Sequence, residues 1–158
     1  MDERQREFLV QHYSAFEWLQ AQSAQGTVTG VIPNGSEIPG WTLVRTQRKE
    51  ETKPPSVHSM WRRDEAGEEL ISVRITESAN VAAAREHLLE ELGNFESPVI
   101  RRRTGPDAVG DVSFGLGDTM ILFALANLVV VILNAGPKVV SVTSIAKALE
   151  TSIRQQLG

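Results

Sequence analysis

Residues 120–133 read MILFALANLVVVIL, and how this stretch folds decides the architecture around it. Asp118 and Asn134 close the run well short of the roughly 20 apolar residues that a membrane-spanning helix needs. Its second half, Val129, Val130, Val131 and Ile132, is β-branched, which suits the pleated surface of a strand better than a helix. A reversal at Ala126-Asn127 gives two strands, 120–125 and 128–133, with Asn127 supplying the left-handed backbone that a tight turn demands. Both alternating sets are apolar, Ile121, Phe123 and Leu125 against Met120, Leu122 and Ala124. The hairpin is therefore expected at the centre of a sheet, buried on both faces. The competing reading, a short buried helix, conflicts with the β-branched run and the flanking Gly, Asn and Pro.

Downstream, Gly136-Pro137 ends the hairpin and Ser141 is placed to cap a helix over 142–157, whose apolar stripe is Val142, Ile145, Ala146, Leu149, Ile153 and Leu157. Upstream, Val57 to Arg62 and Leu70 to Thr76 flank the turn-forming Asp64-Glu-Ala-Gly67. In the second of these strands Ile71, Val73 and Ile75 alternate with Ser72 and Arg74, so this hairpin is expected half-buried. Asn80 can cap a helix over 81–92 with Gly93-Asn94 as its left-handed stop. The chain thus writes strand, strand, helix twice, which predicts a ββα pseudo-repeat with both helices on one face of an antiparallel sheet. Three further strands are expected, at 41–45, 99–103 and 111–114. The stretch 47–56 is polar and Pro-broken and reads as a loop, and 20–40, rich in Gly and Pro, reads as loop with a short strand at 27–32. At the start, Phe8, Leu9, His12, Tyr13, Phe16 and Leu19 recur at helical spacing over 3–21. Residues 1–24 are read as an amphipathic helix and 25–158 as one α+β domain of five to seven strands.

That helix matters to the hairpin. If both later helices sit on one face of the sheet, the other apolar face needs a cover, either the N-terminal helix folded back or a second copy of the chain. Monomer and homodimer are both compatible with the sequence.

The 158 residues carry a formal charge of -4, which argues against a nucleic-acid partner, since phosphate recognition needs a concentrated positive field. There is no cysteine, so thiol catalysis, disulfides and cysteine metal sites are excluded. The opening MDERQREF is charged where a signal peptide would be apolar, so neither a secretory nor a transmembrane signal is expected.

The order of Pro39-Gly40-Trp41 opening a strand, Gly110-Asp111 before another, Ala126-Asn127-Leu128-Val129-Val130 in a hairpin and Ile145-Ala-Lys-Ala-Leu149 in the last helix resembles uncharacterised bacterial α+β domains of exported proteins and lipoproteins. The resemblance covers about residues 39–157. It implies the α+β fold and an extracytoplasmic home, a cytoplasmic one being the alternative, and it implies no activity.

Chemistry-bearing motifs fail one by one. Ser144-Ile-Ala-Lys147 has the S-x-x-K spacing, and Arg103-Thr-Gly105 stands where a K-T-G element could, but no Ser-x-Asn element completes such a site. Gly115-Leu-Gly117 lacks a third glycine and leads into a strand, so it presents no helix N-terminus to a phosphate. His12, His58 and His87 fall on separate elements, and Glu86-His-Leu-Leu-Glu90 is not a metal-binding spacing. No metal and no cofactor are expected. What remains is a candidate ligand or partner surface made of Trp41, Trp61, Arg62, Arg101 and Arg103. The arginines would line an anion site if their strands neighbour one another, with edge protection as the competing role. The tryptophans would line a pocket between helices and sheet. The reading is a non-catalytic binding or interaction module for a protein partner or small ligand. An enzyme with a site assembled from separated residues and a small-molecule carrier are the alternatives.

Overall fold

A computed structural model describes residues 1–18, 25–51, 53–95 and 99–157. In chain order it contains α1 (Glu3–His12), β1 (Thr42–Lys49), β2 (Ser56–Arg62), β3 (Leu70–Glu77), α2 (Val81–Phe95), β4 (Arg101–Arg102), β5 (Val112–Leu116), β6 (Met120–Leu125), β7 (Leu128–Asn134) and α3 (Thr143–Leu157). The strands form one open antiparallel sheet in the order β1-β2-β3-β7-β6-β5-β4. The β6–β7 hairpin is buried on both faces as expected, and β7 takes the central position by pairing with β3.

The two later helices do not share a face. Ile145, Ala146, Leu149 and Ile153 of α3 pack with Ile121, Phe123, Val130 and Ile132, while Ala84, Leu88 and Leu92 of α2 pack with Leu122, Ala124, Val129 and Val131. The fold is thus helix, sheet, helix, and the ββα pseudo-repeat is not confirmed. The physical reason lies in the hairpin. Two helices stacked on one side would leave one apolar set in water, at roughly 1.5–3 kcal/mol for each large side chain. A helix on each side buries both. The N-terminal helix then has a smaller task than sole cover of a face: α1 lies beside α2, and Leu9, Tyr13 and Trp18 extend that layer over Phe114 of β5.

Several boundaries move for identifiable reasons. Strand β1 runs on to Lys49, into the stretch read as loop, because its residues pair one for one with β2 up to Ser56. Helix α2 passes through Gly93 to Phe95 instead of stopping there. A Cβ on Gly93 would come within 2.8 Å of the Leu9 side chain, so this glycine serves the close approach of α1 to α2. Helix α1 ends at His12, followed by Ser14 with positive φ and a short 3-10 turn at Ala15–Glu17. The rest of the predicted N-terminal helix, 19–21, lies outside the described residues. A 3-10 turn at Thr29–Val31 replaces the short strand expected at 27–32, and Val28, Val31 and Ile38 cover the α3 face of β2 and β3. The strand expected at 99–103 is reduced to the two residues of β4.

The hairpin turn uses its two residues differently from the expectation. Ala126 carries the positive φ of 54°, and Asn127, 2% exposed, acts through its side chain. Its amide oxygen accepts from the Gly26 N–H at 2.6 Å, and its amide nitrogen donates to the carbonyls of Gly26 and Ser78 at 2.9 Å each. At the other end of β7, Asn134 donates to the carbonyls of Thr119 and Val140 and accepts from the Val140 N–H. Each asparagine satisfies backbone groups of neighbouring loops, buried ones at Asn127 and partly buried ones at Asn134, which ties the coil segments to the central hairpin.

Candidate functional site

The register of the sheet sorts its side chains into rows. On the α2 side, Gln47, His58, Arg74, Val131 and Leu122 stand next to one another across β1, β2, β3, β7 and β6. Arg45, Met60, Ser72 and Leu133 form the row on one side of it, and Lys49, Ser56, Thr76 and Val129 the row on the other. Each row is apolar at the β7 end and polar or basic at the β1 end. The boundary follows the helices, since α2 packs over β6 and β7 and α1 continues towards β5. Among the described residues, no apolar side chain of the buried core on this side comes from β1, β2 or β3.

The uncovered half forms a hollow of ≈ 240 Å³ lined by Lys49, Ser56, His58, Ser72 and Arg74, with Val131 and Leu133 at its inner end. His87 and Glu91 stand on α2 beside it. Arg74 Nη2 donates to Glu91 Oε1 at 2.7 Å, and His87 Nε2 lies 3.3 Å from the same oxygen without hydrogen-bond alignment. Burial works to raise the Glu91 carboxyl, but His87 and Arg74 outweigh it and hold the group below the usual carboxylate range. The acid at the hollow's margin is therefore ionised and engaged. For His58, burial and the charges of Arg74, Arg45 and Lys49 all act in one direction and push the imidazole below its ordinary value. One imidazole, one ammonium and two hydroxyls thus line the hollow together with the Arg74 guanidinium, already paired with Glu91, and Arg45 stands in the adjoining row. An anion there would favour the protonated form of His58.

A second cleft of ≈ 260 Å³, more open to solvent, lies between α1 and β4, where Tyr13 and Phe114 form an edge-to-face pair beneath Arg101 and Arg102. A third, of ≈ 70 Å³, between Val31 and Leu149, is too small for more than a few waters.

The residues expected to form a ligand surface are dispersed. Trp61 is wholly buried in the α3-side core, its indole N–H donating to Ser59 Oγ at 2.9 Å, and Trp41 packs half-buried against the same core. They fill the interior, and the hollow is not lined by either. Arg62 sits on β2, whereas Arg101 sits on β4 at the far edge of the sheet, with β3, β7, β6 and β5 between them. Those strands are not neighbours, so no common arginine site forms. Arg103 is committed to structure: it donates to the carbonyls of Asp107 and Gly117 at 2.9 Å each and to Thr143 Oγ1 at 3.2 Å. Lys147 likewise donates to the Pro106 carbonyl, away from any nucleophilic role with Ser144. The groups that do converge, His58, Arg74, Lys49 and Arg45, lie outside the five residues expected to form that surface. The readable signal was the polar set Ser72 and Arg74 alternating with Ile71, Val73 and Ile75.

Among the described residues no group of three or more His, Asp or Glu side chains is placed to hold a metal ion, and no helix is long and apolar enough to cross a membrane. No family model matches the chain, and comparisons with curated proteins and with solved structures found no match.

Proposed function

We propose that this protein is a non-catalytic binding module and that the basic hollow over β1–β3 receives a carboxylate- or phosphate-bearing ligand group. One observation carries the reading. On a single face of one sheet, the half under the helices is dry and apolar, while the other half lines an open hollow with Lys49, His58 and Arg74 and sets Arg45 in the next row. In a chain of net charge -4, positive charge concentrated in one concavity raises the local concentration of anions. The volume suits a small acidic group, being below the 300–1,000 Å³ typical of drug-sized sites.

The test is calorimetric titration with citrate and with inorganic phosphate at low ionic strength, at pH 6 and pH 8, in two buffers of different ionisation enthalpy. The reading expects saturable binding that is tighter at pH 6 and accompanied by proton uptake, because the anion favours protonated His58. Replacing His58 with Ala should abolish the proton uptake, and Lys49→Glu should weaken the affinity. Absence of saturable binding, or binding indifferent to both substitutions, overturns it.

A further inference from the structure

We propose that the outer edge of β1 is a docking edge for an acidic, extended segment of a partner protein, which adds to the sheet as an eighth strand. The two borders of the sheet differ. At one border β4 has only Arg101 and Arg102 in strand conformation, and the chain turns at once into the 3-10 turn Gly105–Asp107, held by Arg103. At the other, β1 is eight residues long, and all but Leu43 are exposed. A bulge interrupts its pairing only between Leu43 and Arg45, and from Arg45 to Lys49 the register against β2 is regular. By the alternation of an antiparallel ladder, every second residue from Arg45 to Arg48 turns its backbone N–H and C=O away from β2, which is the template that strand addition uses.

The side chains state which strand it accepts. Arg45 and Lys49 stand on the α2 side of the sheet and Arg48 on the α3 side, opposite Val57. A second copy of β1 pairing here would bring three cations against three, and like charges on adjacent strands are destabilising. The same residues therefore oppose self-association and attract a partner strand bearing carboxylates, so one set of charges serves both rejection and selection. Arg48 has Glu50 3.7 Å away, an exposed pair that an incoming carboxylate can replace at little cost. This docking shares Lys49 with the hollow and Arg45 with the row beside it, and two other residues tell it apart from ligand binding there. Arg48 belongs to the edge and not to the hollow, and His58 belongs to the hollow and not to the edge.

The probe is an eight-residue peptide alternating glutamate and valine, with the same peptide N-methylated at alternate amides, and a version with lysine for glutamate, as controls. Binding is followed by fluorescence anisotropy, and amide hydrogen exchange is measured on the full chain. The parent peptide should slow exchange of the β1 amides that face away from β2. The N-methylated and lysine versions should bind at least about tenfold more weakly. Arg48→Glu should weaken the parent by about threefold to tenfold, and His58→Ala should leave it unchanged. Equal binding of the N-methylated peptide, unchanged β1 exchange at saturation, or indifference to Arg48→Glu each overturns strand addition, whatever citrate does in the hollow.

Discussion

On the α2 face, the half of the sheet formed by β5, β6 and β7 and the half formed by β1, β2 and β3 share one backbone geometry and have opposite surfaces. Over the first, Val129, Val131, Leu122 and Phe114 meet α2 and α1; over the second, Ser56, His58, Ser72 and Arg74 meet solvent and one flank of α2. On the α3 face the cover extends across β2 and β3, because the segment around Val28, Val31 and Ile38 continues it where α3 ends, while Thr46 and Arg48 of β1 stay exposed. This sheet is not short of apolar residues to close its second face. Polar and basic residues stand where closure would need valine or leucine, and the α2 layer stops where they begin. Such a departure from core patterning, in a hollow rather than on a convex surface, is where a binding role is sought.

A charge introduced into the covered half should have the largest effect. Leu122→Asp should prevent folding, since it buries an unpaired carboxylate beneath α2 between Phe114 and Val131, whereas Ser72→Asp, on the same face of the open half, should change stability by less than about 1 kcal/mol. Circular dichroism and urea denaturation of the two variants check this, and similar midpoints would show that the halves do not differ. Next in size is the clamp at the end of the central hairpin. Asn127→Ala leaves the Gly26 N–H and the Gly26 and Ser78 carbonyls without their partner, and at about 1–3 kcal/mol for each unsatisfied buried group the loss should reach about 3 kcal/mol or more in equilibrium unfolding.

Smaller still is the seam between the two helices that cover the apolar half. Gly93→Val pushes a side chain into Leu9 and should cost about 1–3 kcal/mol. It should also speed hydrogen exchange in α1 while β6 and β7 stay protected. If α1 exchange is unchanged, the close approach at Gly93 does not hold the helix.

The smallest expected effect lies along the boundary itself. Glu91, beside Arg74 and His87, and Glu86, beside Arg6, both have folded-state carboxyls below their ordinary values. Their contribution is present in full above the unfolded carboxylate range near pH 4.5 and is lost as pH falls through the lower folded values. His58 works at higher pH. Its folded value is depressed, so its unfolded form takes up protons first, and stability declines as pH falls from about 7 through the unfolded value near 6.5 towards the folded one. Denaturation midpoints from pH 8 to 3 should therefore drop in two steps. Replacing His58 with Ala should remove the upper step and Glu91→Gln should diminish the lower one. An unaltered profile in both variants would show that neither group carries the linkage.

Local chemistry alone determined much of this protein. The β-branched run at 129–132 and the two apolar sets of 120–133 specified a hairpin buried on both faces, Asn80 capped α2 by accepting from the Ala83 N–H at 2.8 Å, and Ser72 and Arg74 marked the polar side of β3. These features depend on spacings of two to four residues, which the sequence displays directly. Tertiary structure alone decided the rest. Whether α2 and α3 share a face depends on where each chain crosses the sheet, and helical periodicity says that a stripe is buried without saying against what. Gly93 reads as a helix stop until Leu9 is seen against it. The hollow exists only because β3 pairs with β7, which sets Arg74 beside Val131, at the line where α2 stops covering the sheet. Arg62 and Arg101 were equally legible as cations, but strand order places them near opposite borders. The proximity that makes a set of charges into a site is a property of that order, and no local pattern in the chain encodes it.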